Sequence, residues 1–532
     1  MKINKKEKYI GAMIGAAVGD ALGWPNENNS HNLVKHTKIL KSFIGWKRKS
    51  GGRYWPHQED IKPGEYSDDT QLLLATLRSL LKGNQWGMYF IKTELPAWLS
   101  YERGGGGATK RAAKQWLREI SPWDEKNDKK SIMKYYMAGG NGAAMRIMPH
   151  VFLNENNDEI MMKQVMVNSM STHGHPRALI GAMLYAYAIH FILTIEGTLE
   201  YGQLIEQLID SVEVWGKLPE VENIEQWKKN AMNCMQMDYD FVWEKCVQET
   251  LDYLNIAYQG IGRGILDIGT ETLEQLGCFD KKINGAGNIT SVISIFLFSK
   301  YADNPSSGLI EAVNLEKADT DTIASLLGGL FGGLYGINWL PIELRTVQDY
   351  RAFEILVTKL IEKKDDITYN SKDYKLFTKE NVCLLQVGET IEVLPFGKIE
   401  LLDIRIETVY SKDMYAYLYV FKTEYEQTIY VSKVGKKASV NSVSLKNKTE
   451  NIPKLEKKEE GVWLNKDKMI MLGNIFKNVD KTEEFIQIIY ELLSLLEKDI
   501  SISKTDLKSI KERWKKYKIT LKQLNEACHI IK

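Results

Sequence analysis

The stretch DTDTIASLLGGLFGGLYG, residues 319–336, alternates two carboxylates with two hydroxyls and then runs without interruption into apolar and small residues. Continued to Leu340, the run is long and apolar enough to raise the question of a membrane span, and Gly328, Gly332 and Gly336 form a ladder with a four-residue step. The acidic start argues against a span. A helix that carries Asp319 and Asp321 in its first turn is predicted to be a central core helix that presents carboxylates at its N-terminus, where the helix dipole favours negative charge.

A second ladder occurs near the start of the chain, where Gly11, Gly15, Gly19 and Gly23 also recur every fourth residue. That spacing places them on one face of a helix, where another backbone can approach closely. The basic segment from Met1 to Lys8 followed by an apolar run superficially resembles a signal peptide, but Asp20 arrives too soon, so a buried helix is expected.

From residue 8 to about 362 the sequence keeps helical spacing, as in Gln71–Leu81 and Ala178–Leu193, with few strand patterns. After the charged run that begins at Glu362 the period changes to two, as in Tyr415, Tyr417, Tyr419 and Phe421. A polar stretch from Ser444 to Gly461 has the composition of a linker, and helical spacing returns from about residue 480 to 531. The expected fold is mainly α: a helical domain over residues 1–365, then a C-terminal accessory region over 366–532 with antiparallel strands at about 375–443 and helices at about 480–531. That region is expected to be separable and to supply no catalytic group.

A chain of 532 residues with 44% hydrophobic and 26% charged residues fits a folded, soluble protein of two or three domains. The formal charge of +1 excludes a global electrostatic pull toward nucleic acid or anionic lipid, so charge-driven binding must be local. Five cysteines, with no C-x-x-C pair, indicate neither a disulfide framework nor a thiolate zinc site, and a reducing cytoplasm is the expected location.

Two acidic clusters carry the chemistry. Ser67-Asp68-Asp69-Thr70 precedes one apolar helix and Asp319-Thr320-Asp321-Thr322 opens another. Either cluster alone reads as a helix cap. Together they supply four carboxylates and several hydroxyls at the starts of buried helices, where ordinary cores avoid charge. Cations would neutralise them, and an all-oxygen donor set points to Mg²⁺ or Mn²⁺. Glu27 could add a further carboxylate, or be a solvated loop residue. The glycine-rich turn Gly139-Gly140-Asn141-Gly142 offers backbone donors for a diphosphate. His173 and His175 lack further ligands for zinc, which leaves contact with a ligand or a hydrogen bond at a helix start. Gly104–Gly107 reads as a flexible loop, either a lid or a linker.

In the order Gly19-Asp20-Ala21-Leu22-Gly23 with Glu27, Tyr66-Ser67-Asp68-Asp69-Thr70, Gly140-Asn141-Gly142-Ala143-Ala144-Met145-Arg146, Thr172-His173 and Asp319-Thr320-Asp321-Thr322, the chain resembles the ADP-ribosylglycohydrolase family over roughly residues 8–345. The resemblance implies an all-α domain with a binuclear Mg²⁺ centre that removes ADP-ribose from a macromolecule; the expected partner is an ADP-ribosylated protein or nucleic acid, and no membrane. It implies Ser67, Asp68, Asp69, Asp319, Asp321 and Thr322 as metal ligands. Gly139, Gly140, Asn141, Gly142 and His173 would line the ADP-ribose cleft. Glu27, Asp69 and Asp321 are the candidate acid–base groups. Two departures stand out: Lys317-Ala318 precedes Asp319 where the family usually has glycines, and Ser67 replaces a frequent threonine.

Competing readings are a binuclear-metal nucleotide phosphohydrolase and a non-catalytic binding or structural protein on the same scaffold. The basic-aromatic segment from Lys511 to Lys518 has the composition of a nucleic-acid contact, but inward packing of Trp514 and Tyr517 is the favoured reading.

Overall fold

In a computed structural model of the chain, the described residues are 3–27, 39–263, 270–363, 375–411, 413–436, 472, 475–476, 488–489, 492, 510–512, 514–517 and 519–531. The chain divides into two compact units, Met1–Ser444 and Leu445–Lys532. The expected boundary near residue 365 is therefore displaced: the strands that follow it belong to the same unit as the helices.

Helices of the first unit used below are α1 (Lys5–Gly23), α2 (Asp68–Leu80), α3 (Gly107–Trp116), α4 (Pro176–Thr194), α5 (Gly287–Lys300), α6 (Thr320–Tyr335) and α7 (Tyr350–Glu362). The first and sixth of these form the centre. Each glycine of one ladder lies against the other helix: Gly11 meets Gly332 and Gly336, Gly15 meets Gly328, Gly19 meets Ala324 and Gly23 meets Thr320. The two ladders predicted separately are one helix crossing at backbone contact. A methyl group on Gly15 would overlap the Gly328 carbonyl. Gly15→Ala is therefore expected to cost about 1–3 kcal/mol or more, since neither backbone can yield without moving its helix. Thermal unfolding should show this as a lowered midpoint; an unchanged midpoint would mean the helices are not in contact. α4 is long and apolar enough to cross a bilayer on length and composition, and most of it is buried inside the protein.

Between α1 and α2 lies a hairpin that the helical spacing did not suggest, β1 (Trp46–Ser50) paired antiparallel with β2 (His57–Ile61). Five further strands, β3 (Lys375–Leu376), β4 (Thr390–Leu394), β5 (Gly397–Thr408), β6 (Met414–Thr423) and β7 (Thr428–Lys436), form one sheet in sequence order. Only β3 and β4 run parallel.

α2 explains why sheet and helices are one body, because every residue of this helix is buried. Leu73, Leu74, Leu77 and Leu80 enter the large helical core. Leu72 and Ala75, on another face, join a second core with Phe90, Trp98 and Tyr101 from the helical part and Phe377, Phe396 and Phe421 from the sheet. Polar bonds cross the same junction. Tyr430 Oη donates to Glu65 (2.7 Å), Thr428 donates through its N–H and hydroxyl to Asp349 (2.9 and 2.7 Å), and buried Arg78 donates to Gln427.

In the second unit, Leu521–Ile531 is helical, and Trp514 and Tyr517 pack against a cluster that includes Leu472, Phe476 and Ile488, the inward orientation favoured from the sequence. Most of residues 480–509 in the expected helical stretch, and the linker from Ser444 to Gly461, lie outside the described residues.

Candidate metal centre and its clefts

The glycine crossing delivers the end of α1 to the starts of α2 and α6. Asp20, fully buried three residues before the end of α1, accepts from Ser67 N–H (3.0 Å), Thr70 N–H (3.0 Å) and Thr70 Oγ1 (2.6 Å). It thereby fixes the first turn of α2, the turn that carries Asp68 and Asp69. Ser67 is the N-cap of that helix, its hydroxyl accepting from Asp69 N–H at 3.3 Å. At α6, Thr320 Oγ1 donates to Gly23 O (2.9 Å), and Asp321 Oδ1 accepts from Thr322 N–H (2.9 Å). Asp20 is not among the site residues expected from the sequence. Its signal is a carboxylate inside an otherwise apolar helix, which must have a nearby donor set to be tolerated.

One carboxylate oxygen from each of Glu27, Asp319 and Asp321 lies within 4.8 Å of the other two. Burial and crowding push Glu27, Asp68, Asp69 and Asp321 toward their neutral forms. Burial first, then Asp319 and Asp68, raise Glu27 to about 8. Burial, with Glu102 and Asp20 nearby, raises Asp68 to about 8. Asp69 and Asp321 are raised well above the usual carboxylate range, again chiefly by burial, and each is raised further by neighbouring carboxylates. Asp69 Oδ2 is buried with no hydrogen-bond partner. An orphaned buried carboxylate oxygen beside an all-oxygen cluster fits a hard divalent cation. The structure thus brings Glu27, Asp68, Asp69, Asp319 and Asp321 together, with Ser67 and Thr322 at the same two helix starts.

The turn preceding Asp319 is strained: Lys317 has φ +70°, the left-handed region that glycine occupies without cost. Its carbonyl accepts from Asn284 Nδ2 at 2.8 Å, which helps hold the turn.

The glycine-rich turn reaches the cluster through Asn141, whose Nδ2 donates to Asp319 Oδ2 at 2.8 Å. As a diphosphate cradle it is less open than predicted. Asn141 N–H is spent on Gly285 O (3.0 Å), and Gly139 O accepts from Gly287 N–H (2.9 Å), so the turn is stitched to the start of α5. Arg146, wholly buried, braces it by donating to Gly142 O, to Asn168 Oδ1 (2.8 Å) and to Thr172 Oγ1 (2.7 Å). His173 packs beside Gly142, and its Nδ1 lies 2.7 Å from Thr172 Oγ1. Burial, with Arg146 and Arg111 nearby, lowers His173 to about 3, so the imidazole is neutral. His175 is the N-cap of α4, accepting from Arg177 N–H at 3.2 Å, the helix-start role.

Gly104 closes over the cluster with φ +103°, and a side chain there would lie 3.1 Å from Asp68 Oδ1. Beyond it opens a cleft of about 840 Å³ bounded by Trp24, Glu27, Gly104 and Glu102, by the hairpin and by the β7 edge. None of Gly139–Gly142, nor His173, lines that cleft. At its base a charge network is internally balanced: Glu59, despite its burial, is held down to about 2 by Arg48 and Arg103, and Arg103 also pairs with Glu65 at 2.8 Å.

Residues 1–368 match the family model described as ADP-ribosylglycohydrolase. The chain is 23% identical over 339 residues to the ADP-ribosyl-[dinitrogen reductase] glycohydrolase of Rhodospirillum rubrum, covering 63% of this chain and 88% of that protein. It is 24% identical over 373 residues to the ADP-ribosylhydrolase ARH3 of Homo sapiens, covering 66% and 92%. It is 20% identical over 346 residues to the ADP-ribosylarginine hydrolase Tri1 of Pseudomonas putida (strain GB-1), covering 63% and 73%. A solved structure described as an ADP-ribosylglycohydrolase-related protein complex overlaps 68% of this chain and 98% of its own, with a TM-score of 0.43 and 20% identity. The sheet from Lys375 to Lys436 lies beyond the family match.

Proposed function

Because this chain belongs to the ADP-ribosylglycohydrolase family, we propose that it is a divalent-metal-dependent hydrolase that frees ADP-ribose from a modified macromolecule by cleaving the glycosidic bond at the distal ribose, in a reducing cytoplasm. The observation that carries the metal part is the orphaned Asp69 Oδ2 among buried, crowded carboxylates.

Ser67, Asp68, Asp69, Asp319, Asp321 and Thr322 would hold two Mg²⁺ ions, with Mn²⁺ able to substitute. When bound, the ions supply a clamp for ribose hydroxyls and a lowered pKa for water at the site. The chain's own residues do the rest. Asn141 tethers the glycine turn to Asp319, a link that would hold a diphosphate at the turn and a ribose at the carboxylates in fixed relation. Thr172 Oγ1 accepts from Arg146; donation of its own proton to His173 Nδ1 leaves the neutral imidazole with Nε2–H as a donor toward substrate. Of the clustered carboxylates, Glu27 is the one that borders the wide cleft, which supports a role on the leaving-group side, as proton donor to the departing acceptor. Asp69 and Asp321 remain the candidates for taking a proton from the attacking water.

Mass spectrometry of products from ADP-ribosylated substrates tests the reading. Free ADP-ribose and unmodified acceptor are expected with Mg²⁺. Release of AMP instead would favour a phosphohydrolase, and no product from any conjugate would remove the hydrolase reading. Chelation should abolish turnover and lower the melting temperature, with Mg²⁺ restoring both; full turnover after chelation would end the metal mechanism.

A further inference from the structure

We propose that the wide cleft beside Glu27 is an acceptor site for single-stranded nucleic acid, completed by the sheet that lies outside the family match. The inference rests on the proposed function, with ADP-ribose held on the Gly139–Gly142 and His173 side of the carboxylates. The cleft lies on the Glu27 side and has none of those residues in its walls, so it falls to the leaving group. Its volume of about 840 Å³ exceeds what one amino-acid side chain needs.

Its charge is sorted by depth. Arg48 and Arg103 at the base are neutralised by Glu59 and Glu65, and Lys110 pairs with Glu102 at 3.5 Å. The cations left over are Lys49 on the hairpin and Lys379 and Lys433 beside the sheet edge. Among the described residues none of the three has a carboxylate partner, and Lys379 Nζ instead donates to Ser432 O at 3.0 Å. Lys49 and Lys433 are exposed. Trp55, 41% exposed, adds an aromatic surface to the same walls. Uncompensated cations on two walls with an accessible indole beside them suit a phosphate backbone and a stacked base. An acidic peptide would use the lysines but leave the indole without a partner.

Fluorescence anisotropy of a labelled, unmodified single-stranded oligonucleotide with the full chain and Mg²⁺ tests binding without turnover. Affinity should fall with salt. Lys49→Glu with Lys433→Glu should weaken binding about tenfold or more and flatten the salt slope by about 1.4, at roughly 0.7 for each phosphate left without its lysine. Trp55→Ala should weaken it about tenfold with little change in slope. In turnover, the double variant should lose about tenfold more kcat/KM on an ADP-ribosylated oligonucleotide than on a small ADP-ribosyl conjugate. The proposal is overturned by absent binding at low salt, by binding that survives the substitutions, or by an acidic peptide that binds as tightly and is weakened equally in the double variant. Oligonucleotide binding that the substitutions abolish, with no conjugate cleaved, would sink the proposed function and leave this surface standing. Cleavage of the small conjugate without oligonucleotide binding would do the reverse.

Discussion

A chain ending at residue 365 is expected not to fold, whereas one ending at Ser444 should retain a cooperative transition. Removing the sheet uncovers Leu72, Phe90, Leu95, Trp98 and Tyr101. At roughly 1.5–3 kcal/mol per buried side chain, these five lose on the order of 10 kcal/mol, comparable with the whole stability of a domain. The cut also strips Glu65 of the Tyr430 hydroxyl and Asp349 of both Thr428 donors, leaving buried acids short of partners. Circular dichroism with thermal melting would check it. A soluble 365-residue form with a sharp transition and turnover would mean that sheet and helices are independent after all.

Asp321→Asn should give the largest activity loss, about 10³-fold or roughly 4 kcal/mol of transition-state stabilisation, while making the metal-stripped protein more stable. The amide keeps the oxygen that accepts from Thr322 N–H but removes an acid that burial first, then Glu27, Asp319 and Asp69, disfavour in its charged form. The pH dependence has a definite sign. Glu27 and Asp68 sit near 8 in the folded chain, against roughly 4 for unfolded carboxylates. Between those values the native state binds more protons at these two groups than the unfolded one, so their contribution to stability is full below about pH 4 and is lost as pH rises toward 8. Saturating Mg²⁺ should reverse that slope, because the ligands must be ionised to bind it. Melting curves of chelated and Mg²⁺-loaded protein across pH 5–8 would show both slopes. Equal turnover for wild type and variant, or a chelated protein that gains stability with pH, would place the chemistry elsewhere.

The helical plan is legible because periodicity is local: the two glycine ladders, the Ser67 cap and the acidic start of α6 all follow from neighbouring residues. Their mutual contact is not, since nothing in a ladder names its partner. The hairpin is hidden because WKRKS and HQEDI lack apolar alternation; Glu59 is buried there by pairing with arginines rather than by hydrophobicity. The sheet reads as separable for a related reason. β6 carries a nearly unbroken run of buried residues, the mark of a strand covered on both faces, yet its aromatic alternation is the stronger pattern in sequence. At the site the carboxylates are readable from type and position. Asp20 is not, because its work is to hold Ser67 and Thr70. Nor is the tie from Asn141 to Asp319, because a side-chain amide gives no sign of the carboxylate it will meet 178 residues later.

The crossing of α1 and α6 also sets an order of events during synthesis. The first helix leaves the ribosome early, but the residues that cover its glycine face begin only at Thr320, nearly 300 positions later. At roughly 5–20 residues per second, that face waits about 15–60 s for its partner. Through that interval the nascent chain exposes a small-residue, apolar helix, and Asp20 has only the donors of α2 for company. A ribosome stalled before Thr320 would therefore hold a polypeptide that lacks Asp321 and so cannot complete its acidic centre.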